Sequence, residues 1–293
     1  MTTSAGAVPP SAPYQVIHLA WTFDDGPTAQ TRPMRTALGD RPATWFVMRD
    51  RLGTGATEAA ALTTLAARQA EGDEIAIHSS HPTQSHVSWF PVHVAAAVPK
   101  AYSSIADLIS DLTTFTLLLH HEGIVPKFVR MPGGEFTEVV AYLKSKGVPS
   151  QRRATLAQRI LRQEPVDSEA PGVREVAADY NLIRDSLDAL GLRIWGGSAA
   201  GPMLTTQSWE AESSGTGLTD NATDKFQRLA DAFDHGVQRQ RSLILLAHDT
   251  AAKNVARVTQ AVAQMESYAT PRGVQVQYHT KSSLFGAVRG FAP

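Results

Sequence analysis

Residues 16–23, Val-Ile-His-Leu-Ala-Trp-Thr-Phe, form a short run dense in branched and aromatic side chains, and they lead directly into Asp24-Asp25-Gly26-Pro27. Such a run predicts a buried β-strand, and the Gly-Pro step after it predicts a sharp turn at its end. The pattern recurs at 44–48 (TWFVM), 74–77 (EIAI), 127–130 (KFVR), 192–195 (LRIW), 243–247 (LILLA) and 274–278 (VQVQY). Between these runs the apolar residues change to a helical period. Ile105, Leu108, Ile109, Leu112, Phe115 and Leu119 mark one helical face; Phe226, Leu229, Ala230, Phe233 and Val237 mark another; Val255, Val258, Val262 and Met265 mark a third. About seven strands, each followed by a helix, predict an α/β fold with a parallel sheet, a complete or distorted (β/α) barrel.

Composition narrows the function. A chain of 293 residues suits one barrel or two ordinary domains, and 43% hydrophobic residues suffice for a large core. With 27 Lys+Arg against 28 Asp+Glu, the net charge of −1 argues against a nucleic-acid-coating role. The absence of cysteine removes disulfides, thiolate nucleophiles and Cys-based zinc sites, so any metal must rest on His, Asp and Glu; ten histidines are available. Residues 1–13 read as a disordered lead-in without a secretion signal, and 14–293 as one domain. No apolar stretch is long enough to span a membrane. A cytoplasmic location is the expectation, although a specialised secretion route would leave the same sequence; a homo-oligomer is compatible with it. One segment, 143–178, breaks the rhythm with Arg152, Arg153, Arg159 and Arg162 followed by Glu164, Asp167 and Glu169. It is expected to be an insertion of short helices and loop, a solvated excursion or else the wall of a groove or a partner surface.

In a β/α barrel, reacting groups collect at the C-terminal ends of the strands. Here the ends of successive predicted strands carry Asp24-Asp25, His78-Ser-Ser-His81, Arg130-Met-Pro-Gly133-Gly134 and, late in the chain, His248-Asp249. Adjacent in an extended chain, Asp24 and Asp25 are expected to point to opposite sides, one toward a metal and one toward water. His78 and His81 would share a face if a helical turn begins there, and one Asp would complete a two-His, one-carboxylate site with open positions. His86 is a nearby spare.

These blocks resemble, in order, the motifs of the NodB-homology polysaccharide deacetylases, carbohydrate esterase family 4. Thr22-Phe-Asp-Asp-Gly-Pro27 is similar to the first motif, Ala43-Thr-Trp-Phe-Val47 to the second strand, and Glu74-Ile-Ala-Ile-His78-Ser-Ser-His81 to the second motif. Arg130-Met-Pro-Gly-Gly134 is similar to the third, and Leu245-Leu-Ala-His248-Asp249 to the fifth. The resemblance spans about 15–285. It implies Asp24 as general base, Asp25, His78 and His81 as metal ligands, Arg130 as the group orienting Asp24, and His248 as the acid protonating the leaving amine. It implies a divalent metal, Zn2+ foremost, with Co2+, Ni2+ or Fe2+ as alternatives, and an N-acetylated sugar as substrate. A backbone N–H within 131–134 would help hold the oxyanion.

The sequence departs from the family pattern in three places. The histidines of the second motif are three apart rather than four, so His81 still reaches the metal, or His86 or a water substitutes. Gly133 stands where the family has an aromatic wall, which opens the groove beside Gly134. No fourth-motif Asp is evident; Trp195 and Trp209 are the candidates for lining the acyl pocket. The leading expectation is a metal-dependent N-deacetylase. Two alternatives are a deformylase or cyclic-amide (ureide) hydrolase on the same scaffold, and a catalytically lapsed carbohydrate-binding module.

Overall fold

The computed structural model describes residues 15–92, 100–194, 208–211, 218–231 and 240–289. Among the described residues ten strands appear in chain order: β1 (Gln15–Gly26), β2 (Ala43–Met48), β3 (Glu74–Ser79), β4 (Val87–Ser88), β5 (Lys100–Ala101), β6 (Phe128–Val129), β7 (Arg193–Ile194), β8 (Ser208–Ala211), β9 (Gln240–His248) and β10 (Val274–His279). The main sheet runs β7-β6-β3-β2-β1-β9-β8, and every pairing in it is parallel. Read as a circle, that order is the chain order: each strand neighbours the next one along the sequence, with a seam between β7 and β8. This is the singly wound path of a (β/α) barrel distorted by an unclosed seam among the described residues, as the alternation of runs predicts.

Two strands depart from the expected set. The sixth barrel strand along the chain is β8, a Ser-Trp-Glu-Ala segment with no apolar run to announce it. The expected strand at 274–278 exists as β10 but pairs only with the first half of β1, from Gln15↔Val274 to Ala20↔His279. β2 takes over the same side of β1 from Trp21 onward.

Both faces of the sheet are buried, and alternation sorts the side chains. Ile17, Leu19, Trp21, Phe23, Trp45, Val47, Ile75, Ile77, Val129, Leu243 and Leu245 join the helices in the main core. The opposite phase fills the lumen in separate clusters: Phe46, Ala76 and Phe128 in one, Ala20, Ile244 and Leu284 in another. Leu284 comes from the helix Lys281–Arg289, which plugs the barrel floor. There the backbone amides of Lys281 and Ser282 donate to Thr44 Oγ1 and Glu74 Oε2 at the starts of β2 and β3. Continuing the lumen phase up the strands leads to Thr22 and Asp24, His78, Arg130 and His248, so the candidate site is the upper layer of the lumen.

The outer helices are α1 (Thr31–Leu38), α2 (Ala56–Ala70), α3 (Ile105–His121), α4 (Glu135–Ser145), α5 (Ser150–Leu161) and α6 (Pro171–Ala189), followed by Leu218–Asp231 and Ala252–Ala269. In α3 the Ser104 hydroxyl caps the first turn by accepting from the Asp107 amide, and Leu108, Leu112, Phe115 and Leu119 are buried as their spacing predicts. Phe226 and Ala230, and Val258, Val262 and Met265, are buried likewise, while Phe233 and Val237 lie outside the described residues. Segment 143–178 differs from a solvated excursion. Leu156, Ala157, Ile160 and Leu161 of α5 and Val173, Val176 and Ala177 of α6 belong to the main core. The arginines that make the segment look exposed sit on the outer face of α5, where Arg152 and Arg159 both bind Glu169. Among the described residues no helix is long and apolar enough to cross a membrane.

Candidate active site at the strand ends

Asp24 stands opposite His248 in the register of β1 and β9. The next residue breaks the strand. Asp25 has φ 72°, and the pairing of β1 with β2 shifts between Phe23 and Gly26. Asp is among the few side chains that enter this left-handed region readily. The consequence overturns the expectation from an extended chain: the bulge brings both carboxylates to the same side. His78 Nε2 lies 3.8 Å from Asp24 Oδ2 and 3.5 Å from Asp25 Oδ1.

The turn after Asp25 is shaped by close approach. A Cβ on Gly26 would sit 2.7 Å from Asp249 Oδ2, so no larger residue fits without displacing that carboxylate. Asp249 is fully buried; its Oδ2 accepts from Thr31 Oγ1, and its backbone carbonyl accepts from Thr28 Oγ1. Burial, with the Asp25 and Asp24 charges adding to it against the Thr31 bond, pushes its pKa up to about 7.

His78, at the end of β3, is fixed by its other nitrogen. Nδ1 lies 3.0 Å from the Arg130 carbonyl, which can only accept, so Nδ1 carries the hydrogen and Nε2 presents a lone pair to the aspartates. Burial holds its pKa below the ordinary imidazole value despite Asp24 and Asp25. Arg130 is itself buried. Its Nη1 donates to Asp24 Oδ1 at 2.7 Å, its Nη2 to Thr22 Oγ1 at 3.4 Å, and its guanidinium lies 4.2 Å above the Phe46 ring.

The chain after β3 does not begin a helical turn. His81 turns toward the Tyr102 ring, 5.6 Å between centroids, and accepts from the Thr83 amide at 3.3 Å. His86 enters instead: with φ 52° its imidazole reaches Asp25, Nε2 to Oδ1 2.7 Å. Among the described residues, the group with metal-binding geometry is Asp25, His78 and His86, whose ligand atoms all lie within 4.8 Å of one another. Burial acts to raise the Asp25 pKa, but the His86 hydrogen bond and the neighbouring imidazoles outweigh it and hold it below the usual value. The same bond raises the pKa of His86. Two imidazole nitrogens and one carboxylate oxygen facing a common point fit a divalent cation, and the engaged Nδ1 of His78 is the arrangement a ligating histidine shows.

The turn after Arg130 differs from an oxyanion-binding loop at its two glycines. Gly133 donates its N–H to Glu138 Oε1 at 3.2 Å, and Gly134 to the Met131 carbonyl at 2.9 Å, so neither amide faces the lumen freely. Gly134, φ 77°, then starts α4. His248 is half-buried at the rim, and its carbonyl accepts from Asn254 Nδ2 at 2.8 Å. Trp195 lies outside the described residues, and of Trp209 only the backbone, in β8, is described. Sequence reasoning missed Thr22, Thr31 and Glu138. Thr22 shares the strand phase of Asp24, which was a usable signal; the other two sit in helical segments with nothing to mark them as buried.

No family model matches the chain, and no curated protein matches it. Solved structures do. One is the catalytic domain of a peptidoglycan N-acetylglucosamine deacetylase from Eubacterium rectale, with 18% identity and a TM-score of 0.48, covering 95% of this chain and 94% of that one. Another is the peptidoglycan deacetylase PdaC from Bacillus subtilis, with 16% identity, a TM-score of 0.49, and the same two coverages, 95% and 94%. A third is a family 4 acetyl xylan esterase from Clostridium thermocellum in complex with a cobalt ion, with 18% identity, a TM-score of 0.46, and coverages of 94% and 93%.

Proposed function

We propose that the protein is a metal-dependent hydrolase that removes the N-acetyl group from an N-acetylated sugar or glycan. The observation that carries this reading is the convergence on one rim of the Asp25, His78 and His86 donors beside a second carboxylate, Asp24, gripped by a buried arginine. Asp25, His78 and His86 would hold a divalent ion, Zn2+ foremost, with Co2+, Ni2+ and Fe2+ compatible with the same donor set. Bound there, the ion supplies polarisation of the acyl carbonyl and a lowered pKa for water. The remaining work belongs to the chain. Arg130 engages Asp24 Oδ1 and leaves Oδ2, on the His78 side, to accept the proton of the attacking water. His248, the strand neighbour of Asp24, gives a proton to the departing nitrogen as the C–N bond breaks. The sugar as substrate class rests on the resemblance of the strand-end motifs.

Acetate release from N-acetylglucosamine oligomers, measured on protein loaded with Zn2+, tests the reading against N-formyl sugars and ureides. Turnover should fall by at least about 100-fold in Asp24→Asn, with the metal still present by elemental analysis. His86→Ala should lose the metal and His81→Ala should keep it. Acetate release from none of the sugars, or full turnover in Asp24→Asn, overturns the proposal; preference for a formyl sugar or ureide would replace the substrate while keeping the site.

A further inference from the structure

His86 reaches Asp25 from an unfavourable backbone conformation, φ 52° on a residue that is not glycine. Such a conformation persists only where surrounding contacts impose it. The contacts just beyond it in the chain are specific. Val87, Ser88, Trp89 and Phe90 are all buried, and β4 is tied on one side to β5 and to the Tyr102 amide, which donates to the Ser88 carbonyl at 3.2 Å. On the other side stands one carboxylate. Glu138, on α4 and fully buried, accepts from the Trp89 amide at 2.7 Å and from Ser88 Oγ at 3.0 Å, both through Oε2. Its Oε1 accepts from the Gly133 amide at 3.2 Å. A single acceptor thus joins the segment that carries His86 to the turn after Arg130, whose guanidinium holds Asp24.

We infer that Glu138 is a positioning residue: it latches the His86 segment to the turn after Arg130 and so sets the third donor of the metal site. The inference rests on the metal-dependent reading above. In its ionised form the carboxylate only accepts, and so matches three donors from two loops, which no amide can. In Glu138→Gln the new NH2 faces at least one of those donors, which leaves a buried N–H or O–H without an acceptor and loosens both loops. Lengths matter as well, since Glu138→Asp keeps the acceptors but draws them back toward α4.

The test reads the metal site directly. In protein loaded with Co2+, the visible absorption bands of Glu138→Gln should shift toward those of His86→Ala, and Zn2+ affinity, by chelator competition, should fall by at least about 10-fold. Glu135→Gln is the control for loss of a buried α4 carboxylate as such. Glu135 is also buried on α4, but its side chain bonds Tyr180 rather than either loop, so this variant should keep the native Co2+ spectrum. A metal-free crystal structure of Glu138→Gln should show His86 Nε2 withdrawn from Asp25 Oδ1. If that variant does not fold, Ser88→Ala removes one donor and should give a smaller shift in the same direction. A native spectrum with Zn2+ affinity within about twofold of the parent overturns the role of Glu138. Failure of the native chain to take up any metal overturns the hydrolase reading instead, and the position of His86 in the metal-free variant then decides the latch.

Discussion

At the scale of single residues, the site is built from two backbone exceptions and one close contact. Asp25 and His86 both occupy the left-handed region, and each places a donor where regular strand geometry would not. Gly26 lets the buried Asp249 carboxylate approach the turn. Gly26→Ala should therefore destabilise the protein by roughly 1–3 kcal/mol in denaturant unfolding, because the side chain it would push is buried and anchored by Thr31. It should also reduce metal affinity, since Asp25 is the adjacent residue. The residue scale was only partly legible in the sequence. Asp24, Asp25, His78, Arg130 and His248 come directly after apolar runs, and a strand end is where a barrel gathers its chemistry. Which of His81 and His86 joins them depends on a φ angle, and nothing in Ser85-His86-Val87 signals a left-handed turn. Glu138 was equally hidden, because a glutamate in a short amphipathic helix looks the same whether it meets water or three buried donors.

At the scale of elements, strand phase does the sorting. Alternate residues of β1, β2, β3, β6 and β9 face the lumen, and the same phase that stacks Phe46, Ala76 and Phe128 below carries His78 and Arg130 above. The floor comes from the helix Lys281–Arg289, where Leu284 packs on Ala20 and Ile244. Leu284→Ala should cost about 2–4 kcal/mol by thermal or denaturant unfolding, the range for a buried leucine whose cavity cannot collapse. Metal content in the surviving folded fraction should be unchanged, since the floor and the rim are separated by the intervening lumen layers. The long strands could be read from their apolar runs. β8 could not, because four residues with a Ser and a Glu become a strand only through pairing with β9. The helical character of α5 and α6 is legible but their burial is not, because a dense charge pattern on one face masks apolar residues at helical spacing on the other.

At the scale of the whole molecule, three buried carboxylates, Glu135, Glu138 and Asp249, have pKa values pushed up to about 7, in each case chiefly by burial. The native state therefore binds more protons than the unfolded chain between about pH 4.5 and 7. The stability linked to these groups is fully present below the lower value and is lost as pH rises through the upper one. Glu135→Gln removes one of them without touching the rim. The stability difference between parent and variant should accordingly move in favour of the variant by up to about 3 kcal/mol between pH 5 and 8, read from urea unfolding at each pH. A constant difference across that range would mean that Glu135 is already ionised in the folded protein. The central strand, β1, also bears on how the chain reaches this state. Its first half is flanked by β9 and β10 and its second half by β9 and β2, so it joins residues 15–24 to residues 240–279. During synthesis β1 emerges before its partners β9 and β10, which follow more than two hundred residues later. Closing so long a loop before most of its contacts form makes folding slow. Until β9 arrives, the nascent chain presents an apolar strand with an unpaired edge, the kind of intermediate that chaperones shield.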